Sequence, residues 1–510
     1  MLETVGHCLG GDAFHLGTGA QDALGVMGGV HAARVRLARR QALLPTSMSG
    51  LGCACPQLTH PCAHVGSWVA TLRWLGHVCE SQVLTALVAS AGPLESSACP
   101  PLVELRETWD ALAALLDDSA PLLRALKIGR LNDIAATPVG QVQHILTDVA
   151  ARHYFAALVD SAPTSEDRVR LLSASGRGAG EFLRQAPYCP TVELSNLNWR
   201  LVSLTRLGLN QTLPCYAGDD SPCAPGCFER VRMHVPDDAS GVAPRGNGDD
   251  GLPIAHVDED LYCDKHGLLQ RRVVPDDYGH HSMVCKYNSV WVRHIRLCNV
   301  LQSIHASAGI VAKASSVEHT VGMRHVLGQQ QADLVVEDFN GAGMDAHVDT
   351  TCIHPLAITY RDFVYKKPGD AVRLVRAVLK RVQYGVMSEF GRTFVPFGAE
   401  SYGALDPEAI SYLQDFVART YVIARGETPE EPRGLALAAE FMTRALGRLS
   451  MAIQKSNAEV LIRGVKNRHR HDKAYGTYLG RVARAPLTTL GARTGRKKRR
   501  RAPRNPGGTA

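Results

Sequence analysis

Two aspartates stand in short apolar, β-leaning stretches: Asp333 in "QADLVV" and Asp349 in "HVDTTCI". The turn-like "NGAGMD" between them suits a hairpin. Neighbouring antiparallel strands would bring both carboxylates to the same face, within reach of one hard cation. Magnesium takes oxygen ligands and keeps several waters, and a bound water can attack a phosphodiester. A lysine beside such a site stabilises the charge that develops in the transition state. Lys380, in "AVLKRVQYG", is the candidate, and Glu318 is a further acidic one. The bland alternative is a pair of solvated aspartates at strand ends.

A second set of residues suits a softer ion. Cys223, Cys227 and Cys263 precede "GHHSMVC", which holds His281 and Cys285 in a His-x3-Cys arrangement. Zinc takes about four nitrogen or sulfur ligands at tetrahedral corners, and a loop-rich segment without apolar periodicity needs some staple. Buried, inert thiols are the competing reading. The run "CACPQLTHPCAH", from Cys53 to His64, is denser in ligands and is expected to lie between helices. "YAGDD", Tyr216–Asp220, lacks flanking strand patterns and reads as a polar turn.

The elements that must carry these residues follow from periodicity. Leu- and Ala-rich stretches over 63–93, 101–127, 139–160 and 165–185 predict helices, after a basic one over 29–44. Residues 215–280 are crowded with Cys, Pro, Gly and Asp and read as loop-rich. Strands are expected near Leu334–Val336, His347–Ile353 and Phe394–Phe397. Helices return over Asp370–Tyr384, Pro407–Ile423 and Gly434–Ile462.

The length of 510 residues exceeds one ordinary core. No apolar run reaches the roughly 18 residues of a membrane span, so no membrane partner is expected. The start, "MLETVGHCLGGDAF", has neither the basic nor the apolar region of an export signal, and the fourteen cysteines are expected to be reduced. The net charge of +7 is unevenly distributed. Residues 461–510 hold fifteen Lys and Arg against Asp472, a net of +14, which leaves −7 for the rest. The run Arg496, Lys497, Lys498, Arg499, Arg500 and Arg501 repels itself into an extended arm. Such arms grip phosphate backbones by counterion release, or act as nuclear localisation signals.

Several stretches, taken in order, resemble the region downstream of the polymerase in non-LTR retrotransposon reading frames, in elements that carry a restriction-like endonuclease. They are "RRQALLPTSMSGLGC" with "AHVGSW", "LNWRLVSLTRLGLNQTLPC", "DYGHHSMVC" with the trailing "RH" of Arg293 and His294, then "QADLVVE", "HVDTTCIHPLA", "LKRVQY", "FVPFGAESYG" and "LSMAIQKSNAEVL". The resemblance implies that Asp333 and Asp349 are the two metal-binding carboxylates of a PD-(D/E)xK site. It places the site's lysine at Lys380, in a Lys-x-x-Lys-Tyr context completed by Tyr384. Gln331-Ala332 and Gln383 depart from that pattern, and Thr351 stands where the simple pattern has lysine. No polymerase-type Asp-Asp strand precedes the thumb-like segment.

The implied layout is a multidomain α+β chain. A helical thumb- or linker-like region covers 1–200, a Cys/His zinc-knuckle-like segment 201–300, a restriction-like endonuclease domain 301–465, and a basic, largely disordered tail 466–510. The implied function is a magnesium-dependent nick in target DNA that primes reverse transcription. Zinc would sit in the knuckle, DNA and element RNA would be the partners, and a separately encoded reverse transcriptase would work with the chain in the nucleus. The alternative is a remnant that binds nucleic acid without cutting it.

Overall fold

The computed structural model describes residues 29–53, 56–78, 142–186, 193–209, 278–285, 288–315, 332–339, 343–357, 365–377 and 392–469. Short pieces and single residues elsewhere are also described, among them Tyr360, Lys380 and Tyr384.

The described part of the N-terminal half is helical: α1 (Gly29–Ala42), α2 (Pro56–Val78), α3 (Val142–Asp160), α4 (Ser165–Ala174) and α5 (Asn196–Leu207). The helix expected over 101–127, apart from five residues, and the second half of the one expected over 63–93 lie outside the described residues. Local chemistry sets the ends. Thr164 caps α4 by accepting from the Asp167 amide, and Ser195 caps α5 by accepting from the Asn198 amide. Gly208 ends α5 at φ 67, and a Cβ there would stand 2.4 Å from Arg170 Nε. The Cys53–His64 run falls differently from the expectation. Most of it forms the first turns of α2, with Pro61 inside the helix, rather than a connection between helices. Cys62 is buried there, as an ordinary thiol would be.

Three short strands, β1 (Phe228–Arg230), β2 (Leu261–Cys263) and β3 (Leu269–Arg272), form an antiparallel sheet in the order β1-β3-β2. Then come α6 (His280–Val284) and α7 (Trp291–Ser307). The main sheet holds β4 (Ala312–Ala314), β5 (Leu334–Phe339), β6 (Met344–Ile353) and β7 (Thr393–Glu400), in that spatial order. The first three are antiparallel, and β6 and β7 are parallel. A parallel pair needs a long crossover; here it carries a π-helical stretch, Val372–Ala377, and Lys380. The chain ends its described part with α8 (Pro407–Ser411, a π stretch Tyr412–Ala418, then Arg419–Ile423) and the long α9 (Pro432–His469).

Alternation along the strands gives the sheet two covered faces. On one, Leu334, Val336, Ala346, Val348, Val395, Phe397 and Ala399 pack under Leu297, Leu301 and Ile304 of α7 and under α8 and α9. On the other, Ile353 joins Tyr365 and Val372 of the crossover in a core with Leu44, Leu158 and Leu171. Residues on both sides of the boundary expected at 200 therefore share one core. Mixed helix and strand content around a small four-stranded mixed sheet makes the chain α+β.

Candidate functional site

The β5–β6 hairpin sets the register of the acidic pair. Leu334 pairs with Val348 across the antiparallel strands, so one step further places Asp333 opposite Asp349. A bulge near Asp338, at φ 49, shifts the register before the last pair, Phe339 with Met344, and Asp338 Oδ1 accepts from the Gly343 amide at 2.7 Å to close the hairpin.

Asp349 sits in β6, 4% exposed. Its Oδ2 forms an ion pair with Lys380 Nζ at 2.9 Å. The Tyr384 hydroxyl lies 3.5 Å from Oδ1, and the Tyr384 ring stacks on Phe394 of β7. Burial pushes the Asp349 carboxyl upward, with Lys380 opposing and Asp333 adding repulsion.

Asp333 occupies a bend one residue before β5. Its Oδ2 accepts from the Thr350 amide at 2.6 Å and from the Thr350 hydroxyl at 2.8 Å. Its Oδ1 lies 3.1 Å from His294 Nε2. Burial alone would raise this carboxyl; the His294 and Thr350 contacts more than offset it and hold it below the usual range. His294 is correspondingly raised to about 10, chiefly by its hydrogen bond to Asp333. The expectation that both carboxylates face one side needs correction. Asp333 engages α7, which packs on one face of the sheet, whereas Asp349 engages Lys380 and Tyr384 of the crossover. Asp333 lies outside the pleat, so strand alternation does not fix the direction of its side chain. The two charges still act on each other.

Cys298 completes the surroundings. It follows His294 by one helical turn on α7, its Sγ 3.8 Å from His294 Nε2 and 2.8 Å from Thr350 Oγ1. His294, Cys298 and Asp333 offer ligand atoms that all lie within 4.8 Å of one another. Among the described residues they are the one such grouping, and Asp349 is not part of it.

Of the residues expected at the metal site, the structure pairs Lys380 with Asp349, while Asp333, opposite Asp349 in register, is turned toward His294. Glu318 lies outside the described residues. So do Cys223, Cys227 and the arm Arg496–Arg501. Cys263 closes β2, but its side chain is not described. His281 lies in α6 and Cys285 just after it, buried, its amide donating to the His281 carbonyl at 3.0 Å. The sequence reading left Cys298 and Thr350 unassigned and placed His294 with the zinc knuckle. A signal for the first was present: His294 and Cys298 repeat the His-x3-Cys spacing of His281 and Cys285. In a helix that spacing puts both side chains on one face.

No family model matches the chain, and no curated protein sequence matches it significantly.

Proposed function

We propose that the chain is a metal-dependent endonuclease of the restriction-like type, derived from a non-LTR retroelement, that nicks target DNA to prime reverse transcription. One observation carries this reading: Asp333 stands opposite Asp349 at the end of a hairpin, and Lys380 holds the second carboxylate at 2.9 Å. Carboxylate oxygens suit a hard divalent cation, and one shared by the two aspartates requires the Asp333 carboxylate to turn from His294 back toward Asp349 across the end of the hairpin. Magnesium held there by Asp333 and Asp349 would supply a nucleophilic water and neutralise phosphate charge.

The protein's own part is positioning. Lys380 keeps a positive charge beside the reacting phosphate, where it stabilises the pentavalent transition state. Tyr384, stacked on Phe394, steadies Asp349 from the other side. Thr350 locks the Asp333 carboxylate with two hydrogen bonds. The basic arm Arg496–Arg501 would grip phosphates, and a separate reverse transcriptase would extend the nick in the nucleus. A second reading, a chain that binds nucleic acid without cleaving it, draws on the Lys380–Asp349 pair itself, which already neutralises the carboxylate that a metal would need.

Nicking of supercoiled plasmid by the full chain in magnesium separates the two. Cleavage that falls at least a hundredfold in both Asp333→Asn and Asp349→Asn supports the nuclease. Cleavage by Asp349→Asn at the wild-type rate refutes it, and an inactive wild type that still binds the plasmid favours the second reading.

A further inference from the structure

We infer that His294, Cys298 and Asp333 form a binding site for one transition-metal ion of the zinc type, distinct in donor chemistry from a magnesium site. The inference goes beyond the nuclease reading and does not need it, although Asp333 belongs to both.

The donor set is the first reason. An imidazole, a thiol and a carboxylate are zinc ligands, whereas magnesium takes oxygen and disfavours sulfur. Geometry is the second. Tetrahedral zinc with bonds of about 2.0 to 2.3 Å separates its ligand atoms by roughly 3.4 to 3.6 Å. His294 Nε2 stands 3.1 Å from Asp333 Oδ1 and 3.8 Å from Cys298 Sγ, and all three ligand atoms lie within 4.8 Å of one another. Modest side-chain movement closes them on one ion.

The third reason is the support behind the ligands. Metal-bound imidazoles commonly donate their other ring N–H to a neighbour, which fixes the tautomer, and bound carboxylates are hydrogen-bonded in turn. Thr350 meets both requirements. Its hydroxyl donates to Asp333 Oδ2 at 2.8 Å, while the amide of the same residue adds a second bond at 2.6 Å, leaving Oδ1 to face the ion. The same hydroxyl lies 3.3 Å from His294 Nδ1, where it can accept a proton held there and leave the Nε2 lone pair toward Cys298 and Asp333. One side chain from β6 thereby orients the ligands that α7 and the start of β5 contribute.

Access is the fourth reason. The His294 side chain is 40% exposed and Asp333 20%, so an ion reaches the site from solvent and a water can fill the fourth tetrahedral position. Three protein ligands with one open position is the arrangement of a reactive zinc site rather than a closed structural one. Leu297 and Leu301, on the same helix, pin α7 to the sheet and make the half-site rigid.

The test uses the full chain, stripped of metal and titrated with zinc, with metal content rather than cleavage as its primary readout. Failure here therefore leaves the nuclease reading untouched, and the reverse holds. Alkylation of Cys298, followed by mass spectrometry in the wild-type chain, needs no variant. One equivalent of zinc beyond any held elsewhere should slow it at least tenfold, while millimolar magnesium leaves it unchanged. Titration with cobalt should give a thiolate charge-transfer band that Cys298→Ser diminishes by one equivalent and Cys62→Ser, at the buried ordinary thiol of α2, does not. Thr350→Val should weaken zinc binding about ten- to a hundredfold, the range for loss of a supporting hydrogen bond. Alkylation of Cys298 that zinc does not slow overturns the site. So does unchanged metal stoichiometry and affinity in folded Cys298→Ser and His294→Ala.

Discussion

At the scale of single residues, buried charge governs the behaviour of the site. Asp349 is almost wholly enclosed, and Lys380 is its one cationic partner among the described residues at ion-pair distance. Removing one member of a buried pair strands the other. Lys380→Met should lower the stability of the metal-free chain by about 1 to 3 kcal/mol at neutral pH, since the lysine is partly exposed and its loss is softened by solvent. Adding Asp349→Asn should recover most of that loss, as read by urea unfolding; a double variant no more stable than the single one would contradict the assignment. A second buried carboxylate, Glu400, lies at the end of β7 and accepts from Ser173 Oγ at 2.6 Å, the Ala371 amide at 3.1 Å, the Val372 amide at 3.4 Å and the Tyr365 hydroxyl. Burial outweighs these bonds and pushes it up to about 7 from 4.5. The folded state therefore holds the proton more tightly. The stability this contributes is fully present below about pH 4.5 and is lost as pH rises through about 7, on the order of 3 kcal/mol in all. Glu400→Gln should flatten the dependence, because its carbonyl can face the two amides while its NH2 meets two rotatable hydroxyls. Thermal unfolding of both proteins between pH 5 and 8 checks this, and parallel slopes would count against it.

At the scale of elements, α7 connects the candidate chemistry to the core. Leu297, Leu301 and Ile304 recur at helical spacing and pack on the sheet, which puts His294 and Cys298 on the adjoining strip of the same helix. Arg293 points the other way, buried, with Nη2 donating to the Met283 carbonyl and Nη1 3.5 Å from Asn457 Oδ1 of α9. Leu301 is fully buried. Leu301→Ala should cost about 2 to 5 kcal/mol, from lost burial and the cavity left behind. It should also weaken the ion site, because the helix that carries two of its ligands loosens against Thr350. Urea unfolding and zinc titration on the same preparation test both halves. A loss of stability with unaltered zinc affinity would show that α7 is held in place by other contacts.

At the scale of the whole molecule, the helical half and the sheet are bound by polar as well as apolar contacts. Within the helical half, Arg170 Nη1 reaches Gln41 Oε1 at 2.7 Å and the Arg206 carbonyl, while Arg206 Nη2 donates to the Thr46 carbonyl at 2.8 Å and its Nε to the Gly50 carbonyl at 3.2 Å. Ser173 of α4 reaches across to Glu400 of β7. Leu44, Leu158 and Leu171 cover Ile353, Tyr365 and Val372. A fragment of residues 301–465 would expose that apolar face, so it should fail to unfold cooperatively and should aggregate, whereas a chain from residue 29 to 469 should behave as one unit. Calorimetry and sedimentation of the two fragments decide the matter; a monomeric, cooperatively melting 301–465 fragment would support a separate domain with those bounds.

Much of this architecture was legible in the sequence, for reasons that can be given residue by residue. Alternation located β5, β6 and β7, helical spacing located α3, α4, α8 and α9, and "NGAGMD" marked the hairpin, because pattern and turn chemistry are local properties of the chain. The register that sets Asp333 against Asp349 follows from the hairpin, and Lys380 forms an ion pair with Asp349. What the sequence could not decide was direction and company. A bend at Asp333 released its carboxylate from strand alternation and turned it to α7. His294 and Cys298 stand far along the chain from Thr350, and only packing of α7 on β6 brings them to its hydroxyl. The shared core of the helical half and the crossover arose in the same way. Pattern along a chain records which face of an element is apolar, but the partner that covers that face is chosen by three-dimensional fit, which sequence spacing does not encode.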